Sequence, residues 1–145
     1  MTDTVLDQIH AVMHIYRARQ YHALRGAPEA VTHMESKVLN FFARSPGATQ
    51  TDLVAQSGRD KGQLARLIAG LRERGLLEAQ ADEADRRSLR LHLTETGKAA
   101  EQALRRQARR LATVAVDGLS DAERRQLSAL LERVRANLNA IDDAG

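Results

Sequence analysis

Residues 49–98 read TQTDLVAQSGRDKGQLARLIAGLRERGLLEAQADEADRRSLRLHLTETGK, and the fold class can be predicted from this stretch. Its first part predicts a short helix over Thr49–Gln56, with Thr49 as the N-cap, and a second helix that is capped by Asp60. Leucine and isoleucine recur along one face of the second helix, and Gly75 ends it. Only a tight turn containing a glycine separates the two helices. This arrangement is typical of a helix-turn-helix unit.

The hydrophobic pattern then changes from a helical period to strict alternation. Two segments, Leu76–Gln80 and Ser88–Leu93, are predicted as strands, because leucines alternate with polar residues in the second segment. Residues 81–87 between them read ADEADRR and are too charged to be buried. The sequence therefore predicts a β-hairpin, or wing, with Arg86 and Arg87 at its tip.

Four further helices are predicted around this unit from apolar spacing and capping motifs. They are a helix from Asp3 to about Leu24 that Gly26–Pro28 ends, one opened by the capping box Thr32–Glu35, one from Thr94 to Gly118, and one opened by the capping box Ser120–Glu123 that extends to Ile141. The last helix has more apolar surface than a small domain needs, so the first and last helices are assigned to a dimer interface. The expected interface residues are Leu6, Ile9, Leu127, Leu130, Leu131, Val134 and Leu138.

Length and composition agree with one mainly α domain that carries a small β-hairpin wing. The chain has 145 residues, and we predict a winged helix-turn-helix core over about 32–98 with dimerisation helices over about 3–25 and 99–142. The 22 basic residues against 19 acidic ones favour a polyanionic partner only weakly. Cysteine is absent, which excludes disulfides and thiol-based sensing. No secretion signal or membrane span is recognisable, so a cytoplasmic protein without a membrane partner is expected.

The polar face of the second helix of the helix-turn-helix unit suggests a DNA-reading surface. It presents Gly62, Gln63, Arg66, Gly70 and Glu73. Gln and Arg side chains pair bidentately with adenine and guanine, glycines permit close approach to a groove, and arginines at a hairpin tip suit a minor groove. The expected DNA-binding residues are Thr49, Gln50, Lys61, Gly62, Gln63, Arg66, Asp85, Arg86 and Arg87. The alternatives are a solvated helix face and a wing in which Asp85 pairs with a neighbouring arginine.

Three motifs within Thr49–Lys98 resemble the MarR (multiple antibiotic resistance regulator) family. They are Gly75-Leu76-Leu77, Asp85-Arg86-Arg87-Ser88-Leu89 and Leu93-Thr94-Glu95-Thr96-Gly97. The resemblance implies a homodimer on a pseudo-palindromic duplex, with a recognition helix in the major groove and repression often relieved by a small aromatic or phenolic acid. At matching positions it assigns the wing arginine to Arg87, the preceding aspartate to Asp85 and the recognition-helix arginine to Arg66. Asp60–Gln63 departs from the small hydroxylated residues of many members, so the operator sequence stays open.

The resemblance also places an effector pocket between the dimerisation helices and the winged domain. The candidate residues are His10, His14, Tyr16, Arg17 and His33. An arginine or histidine beside an apolar cleft suits a carboxylate effector. Alternatively, His10 and His14 could ligate zinc together with Asp7 or His33 in a metal-responsive regulator, or they could be ordinary surface residues. No cofactor is expected.

The function predicted from these features is a DNA-binding transcriptional repressor. A winged-helix protein-interaction module or antirepressor that does not bind DNA is the competing prediction. No nucleophile–base pair, phosphate-binding loop or paired carboxylates stand out, so no enzymatic activity is predicted. The basic run Arg105, Arg106, Arg109 and Arg110 is expected to be a solvated helix face, paired with Glu101 or with acidic residues of the last helix, rather than a DNA contact.

Overall fold

The computed structural model describes residues 4–22 and 30–141, which form six helices and one two-stranded sheet. The elements are α1 (Val5–His22), α2 (His33–Arg44), α3 (Gln50–Ser57), α4 (Lys61–Glu73), β1 (Leu77–Ala81), β2 (Leu89–Leu93), α5 (Glu95–Ala115) and α6 (Asp121–Asn139). A mainly α fold with a β-hairpin is therefore confirmed. The predicted start at Asp3, the end near Leu24 and the break at 26–28 lie outside the described residues. The chain divides into two units, one up to Leu111 and one from Ala112 onward.

Capping side chains fix the starts of the helices. The predicted N-caps Thr32, Thr49, Asp60, Thr94 and Ser120 are all confirmed, each accepting from a backbone N–H three residues later. A further capping pair stands at α1, where the Asp7 N–H donates to Thr4 Oγ1 and the Thr4 N–H donates to the Asp7 carboxylate, both at 3.0 Å. The bond from the Thr4 N–H lowers the pKa of the Asp7 carboxyl group. These bonds pair N–H groups that the first helical turn leaves open.

Helix α4 ends before Gly75 as predicted, but β1 spans Leu77–Ala81 instead of the predicted Leu76–Gln80, because Leu76 belongs to the helix terminus. Gly75 takes the left-handed conformation with φ +75°. Its N–H donates to Arg72 O at 3.0 Å, and the Leu76 N–H donates to Leu71 O at 2.9 Å. This is the Schellman arrangement, and it leaves Leu77 as the first strand residue.

Three other elements are shorter than predicted. Ser88 belongs to the wing turn, so β2 begins at Leu89. Helix α5 ends at Ala115 because the chain turns before Gly118, whose φ is +86°. Helix α6 ends at Asn139, and Ile141 lies beyond it with 64% of its surface exposed.

The core lies between α2, α3, α4, the first half of α5 and the inner face of the hairpin. Its buried apolar residues are Val31, Val38, Leu39, Phe42, Leu53, Leu64, Ile68, Leu71, Leu76, Leu77, Leu91, Leu93, Ala100 and Leu104. The strands pair antiparallel from Leu77 opposite Leu93 to Ala81 opposite Leu89. Leu89, predicted on a half-buried strand, is 42% exposed because the hairpin extends beyond the core at that end. Within the described ranges, no helix is long and apolar enough to cross a membrane.

The junction between the hairpin and α5 explains the glycine in the Leu93–Gly97 motif. The Thr94 N–H donates to Leu76 O at 3.1 Å, and the Thr94 hydroxyl donates to Gly75 O. Gly97 is buried, and a Cβ atom added there would lie 2.0 Å from Leu76 O. The first turn of α5 therefore packs directly on the backbone that ends α4, and only glycine fits.

The basic run of α5 begins with an arginine that forms an ion pair on the same helix. Arg105 forms a bidentate ion pair with Glu101, through Nε to Oε1 and Nη2 to Oε2. This contact confirms the predicted pairing and raises the pKa of Arg105. Glu101 is only 7% exposed, so this pair is set partly into the protein surface instead of lying on a fully solvated face.

Candidate nucleic-acid interface

Helix α4, predicted to be the recognition helix, is positioned by the turn that follows α3. Helix α3 ends at Gly58, which adopts the left-handed conformation with φ +65°. Asp60 then accepts the Gln63 N–H at 3.3 Å and starts α4. Leu64, Ile68 and Leu71 on the opposite side of α4 are buried. The helix is thus fixed by its apolar stripe, while its other face stays available.

The predicted DNA-reading residues of α4 lie on that available face. Lys61, Gly62, Gln63 and Arg66 are all exposed, as is Glu73 at the last position of the helix, whereas Gly70 is half-buried. A Cβ atom at Gly70 would have no neighbour within 4 Å, so the helix surface is open there. Amide and guanidinium groups presented side by side are suited to the edges of bases.

Thr49 and Gln50 lie at the start of α3 and are half-buried. The Thr49 hydroxyl accepts the Asp52 N–H at 3.2 Å, and the Thr49 N–H donates to the Asp52 carboxylate at 2.9 Å. Thr49 therefore has a structural function as a cap. Because a hydroxyl both donates and accepts, the capping bond is compatible with donation to a phosphate.

The wing tip is a tightly bonded turn that presents its arginines. The Asp85 carboxylate accepts the backbone N–H of Arg87 at 3.0 Å, and Asp85 O accepts the Ser88 N–H at 3.0 Å. Asp85 thus shapes the turn through backbone contacts, which is a different role from the predicted alternative of pairing with an arginine side chain. Arg86 and Arg87 are both exposed. Their guanidinium groups are held at the end of an ordered hairpin.

The wing is attached to the turn between α2 and α3 by hydrogen bonds that the sequence analysis missed. The Gly47 N–H donates to Leu91 O at 3.0 Å, and the Leu91 N–H donates to Ala48 O at 2.9 Å. Arg90 adds a side-chain bridge, with Nη1 donating to Gly47 O at 3.0 Å and Nη2 to the Asp82 carboxylate at 3.2 Å. The only sequence signal was the outward position of Arg90 in the alternating strand.

The Asp82 carboxylate has a second function at the base of the tip. Its Oδ1 accepts the Ala84 N–H at 3.0 Å while Oδ2 faces Arg90. The bond from Ala84 and the nearby Arg90 cation hold the pKa of Asp82 below its ordinary value, so the carboxylate is charged at neutral pH.

The candidate effector residues of α1 are mostly at the surface. His10, His14 and Arg17 are exposed, and Tyr16 is half-buried. In the part of the chain that the structure describes, no three His, Cys, Asp or Glu side chains are placed to hold a metal ion. The zinc alternative therefore finds no preformed site among these residues.

His33 joins a hydrogen-bonded cluster between α1 and α2. The Ser36 hydroxyl donates to His33 O at 2.7 Å, so Tyr21 donates to Ser36 Oγ, also at 2.7 Å. Because the Tyr21 proton is then used, its oxygen accepts from His33 Nδ1 at 3.2 Å, which assigns the ring proton to Nδ1. Burial, followed by the charges of Arg17, Lys37 and Arg59, lowers the pKa of His33.

A cleft of about 660 Å³ lies beside this cluster, between α2, α3 and the turn before α4. It is lined by Met34, Ser36, Lys37, Val38, Asn40, Phe41, Arg44, Ser45, Leu53, Gln56, Ser57, Arg59 and Leu64. Three of these residues are cations, whereas none is an Asp or Glu. The cleft combines positive charge with apolar walls, and its lining does not include the α1 residues predicted for an effector.

The expected dimer-interface residues are exposed in the single chain. On α1, Leu6 is 51% exposed and Ile9 is half-buried; Val12 and Ile15, which were not predicted, are also exposed. On α6, the predicted stripe is exposed except for Val134, which is half-buried. Each helix, taken separately, thus presents apolar side chains to solvent.

Comparisons with known proteins agree with this geometry. Residues 31–88 match the model of the MarR family. A Thauera aromatica protein named for a regulatory role at the hcr operon is 32% identical over 120 residues, which span 80% of this chain and 70% of that protein. The HTH-type transcriptional regulator YybA of Bacillus subtilis is 34% identical over 94 residues, which span 65% of this chain but only 63% of YybA.

The fold is also similar to that of FabT from Streptococcus pneumoniae, solved in complex with DNA. The TM-score is 0.84 at 19% identity, covering 95% of this chain and 97% of FabT. The sequence relatives are named for transcriptional regulation and not for an enzymatic activity, in agreement with the prediction. The chain therefore belongs to the MarR family of winged helix-turn-helix transcriptional regulators.

Proposed function

We propose that this protein is a homodimeric, sequence-specific binder of double-stranded DNA that represses transcription and is released by a small aromatic or phenolic acid. The observation that carries the proposal is that one unit contains two exposed elements suited to DNA, helix α4 and the wing. Hydrogen bonds between backbone groups attach the wing to the rest of that unit. Helix α4 presents Gln63 and Arg66, and the wing presents Arg86 and Arg87. FabT, whose fold is similar, was solved in complex with DNA.

Each element suits a different groove. An α-helix fits the major groove, where Gln pairs with adenine and Arg with guanine. The N-terminus of α4, with Lys61 beside it, is favourable for a phosphate. A short hairpin that ends in arginines suits a narrow minor groove, because the negative potential is strongest there. The proposed contacts are therefore base reading by α4 and groove-width reading by the wing.

A second copy of the chain is the partner proposed for the exposed apolar residues of α1 and α6. Leu130, Leu131 and Leu138 of α6 are between 42% and 51% exposed, as is Leu6 of α1. An apolar stripe of this kind on either helix is unfavourable in water unless another surface covers it. A two-fold homodimer would cover both copies equally and would place two recognition helices on one duplex.

The cleft beside α2 supports an acidic effector. Lys37, Arg44 and Arg59 supply cations, and Phe41 and Leu53 supply apolar wall, which together suit an aromatic carboxylate. Arg17 and His14 on α1 were predicted for the same role, and Arg17 is close enough to lower the pKa of His33. Release of DNA requires that the acid bind the DNA-incompetent conformation more tightly. The sequence placed the acid beside α1; if it binds there, Arg17→Ala or His14→Ala should weaken the response to salicylate, whereas neither residue lines the cleft.

The test of DNA binding is selection of genomic fragments by the purified protein, followed by footprinting. We expect a protected pseudo-palindrome with half-site centres roughly 10 bp apart, one helical turn. Arg66→Ala should weaken binding by about 1–3 kcal/mol per site, and Arg87→Ala should weaken binding and reduce its salt dependence. Lys98→Ala is the matched control, because Lys98 is an exposed cation that pairs with Glu95 on α5.

Two results would contradict the proposal. If no duplex were retained at low salt, the competing function as a protein-interaction module would replace it. If Lys98→Ala weakened binding as much as Arg66→Ala, α4 would not be the reading element. Acids such as salicylate that neither bind nor shift DNA affinity would remove the effector part alone.

A further inference from the structure

We infer that Arg90 is a positioning residue for the wing: by bridging Gly47 and Asp82, it sets the direction in which the tip arginines point relative to α4. The inference rests on the proposed DNA-binding function. Arg90 lies on β2 opposite Gln80, between the core end and the tip of the hairpin. Its two partners belong to different parts of the unit, one to the α2–α3 turn and one to the wing turn.

The bridge completes a small junction. The backbone bonds between Gly47, Ala48 and Leu91 attach only the core end of β2 to the α2–α3 turn. From Leu91 towards the wing tip, the hairpin consists of β1 and β2 alone, and Leu89 is exposed there. An isolated two-stranded hairpin is only marginally stable, and a side chain that reaches across the junction restrains its outer half. Arg90 is the residue in the described ranges with hydrogen bonds to both the α2–α3 turn and the wing turn.

Its geometry favours positioning over direct DNA contact. The guanidinium donates from two separate nitrogens to two acceptors, and this fixes its plane in the way a planar fork permits. The Asp82 carboxylate also accepts the Ala84 N–H at the base of the tip. The ion pair with Arg90 therefore restrains the turn that holds Arg86 and Arg87. The side chain of Asp82 is only 18% exposed, whereas that of Arg90 is 51% exposed.

The alternative is that the exposed Arg90 binds a phosphate itself, and Asp82→Asn separates the two roles by the sign of its effect. The variant keeps Oδ1 for the Ala84 N–H but removes the charge that faces Arg90, and it makes the wing more positive. If Arg90 positions the wing, Asp82→Asn should weaken binding to the footprinted fragment, on the order of threefold to tenfold, as Arg90→Ala does. If Arg90 binds phosphate, the variant should strengthen binding, and the inference would be overturned.

A double variant supplies the second test. If Arg90 acts through the tip, Arg90→Ala should have little further effect in the Arg86→Ala and Arg87→Ala double variant, which has lost both tip arginines. Additive losses would indicate an independent DNA contact and overturn the inference. Arg90→Lys keeps the positive charge but replaces the planar fork of two nitrogens by a single ammonium nitrogen, so its DNA affinity should fall between wild type and Arg90→Ala.

The third measurement uses no DNA, so it separates failure of this inference from failure of the proposed function. In the free protein, Arg90→Ala should speed amide hydrogen exchange at Gly47 and Leu91 by roughly threefold to tenfold, because local opening of the junction becomes easier. Exchange at core positions such as Leu39 and the unfolding midpoint should be unchanged. Unaltered exchange at the junction would refute the positioning role. A general loss of stability would also refute it, because Arg90 would then stabilise the whole fold and not the wing in particular.

Discussion

Replacing Gly97 by alanine should destabilise the protein, although alanine is the better helix former. Gly97 is the third residue of α5 and is buried against the end of α4. An added Cβ would lie 2.0 Å from Leu76 O and 3.0 Å from Leu76 C. Both atoms belong to the backbone, so no side-chain rotation can relieve the overlap. Helix α5 would have to move by more than 1 Å to restore ordinary contact at about 3.5 Å.

The size of the effect follows from what that movement breaks. The Thr94 N–H bond to Leu76 O and the Thr94 hydroxyl bond to Gly75 O cross this junction. Overpacking costs about 1–3 kcal/mol, and weakening these neutral hydrogen bonds adds about 0.5–1.5 kcal/mol each. The better helix propensity of alanine returns about 1 kcal/mol. The net loss is therefore about 1–5 kcal/mol of unfolding free energy, or roughly 2–20 °C in Tm.

Gly70→Ala is the matched control, because Gly70 is also inside a helix but has nothing within 4 Å of its Cβ position. This variant should stabilise the fold by about 0.5–1 kcal/mol. Urea unfolding followed by circular dichroism measures both variants under the same conditions and at the same protein concentration. If Gly97→Ala unfolded at the wild-type midpoint, or gained stability as Gly70→Ala should, the close approach of α5 to Leu76 would be refuted.

Three further predictions concern the dimer face, the cleft and pH. Leu131→Asp combined with Val134→Asp should give monomers or unfolded chain by sedimentation, whereas Ala129→Asp on the opposite face of α6 should remain dimeric; a well-folded wild-type monomer at micromolar concentration would contradict the interface. Lys37→Ala should weaken salicylate binding in calorimetry and leave DNA affinity without salicylate unchanged; unaltered salicylate binding would exclude this cleft. The free energy of unfolding should fall as the pH drops from about 6.5 through the lowered pKa of His33, because the unfolded chain takes up the proton first. His33→Gln should reduce that dependence on pH, and an unchanged pH profile would contradict the lowered pKa of His33.

Features that depend on neighbouring residues could be predicted from the amino-acid sequence alone. Thr32, Asp60 and Ser120 cap helices because their acceptors meet an N–H only three residues away, a geometry that any helix start provides. Gly75 ends α4 for a similarly local reason, since only glycine readily adopts its positive φ. The exposed position of Arg66 follows from helical periodicity, because the leucines opposite it require burial.

Other features depend on residues that are far apart in the chain, and these features become visible only in the folded protein. Arg90 and Gly47 are 43 positions apart, and no spacing rule brings a strand residue to a particular turn. The cleft likewise brings together cations from α2 and from the turn before α4. Local rules fix φ, ψ and the first hydrogen bonds, whereas packing of the apolar stripes sets the angles between elements. Those angles decide which distant polar groups meet, and therefore how the wing is held.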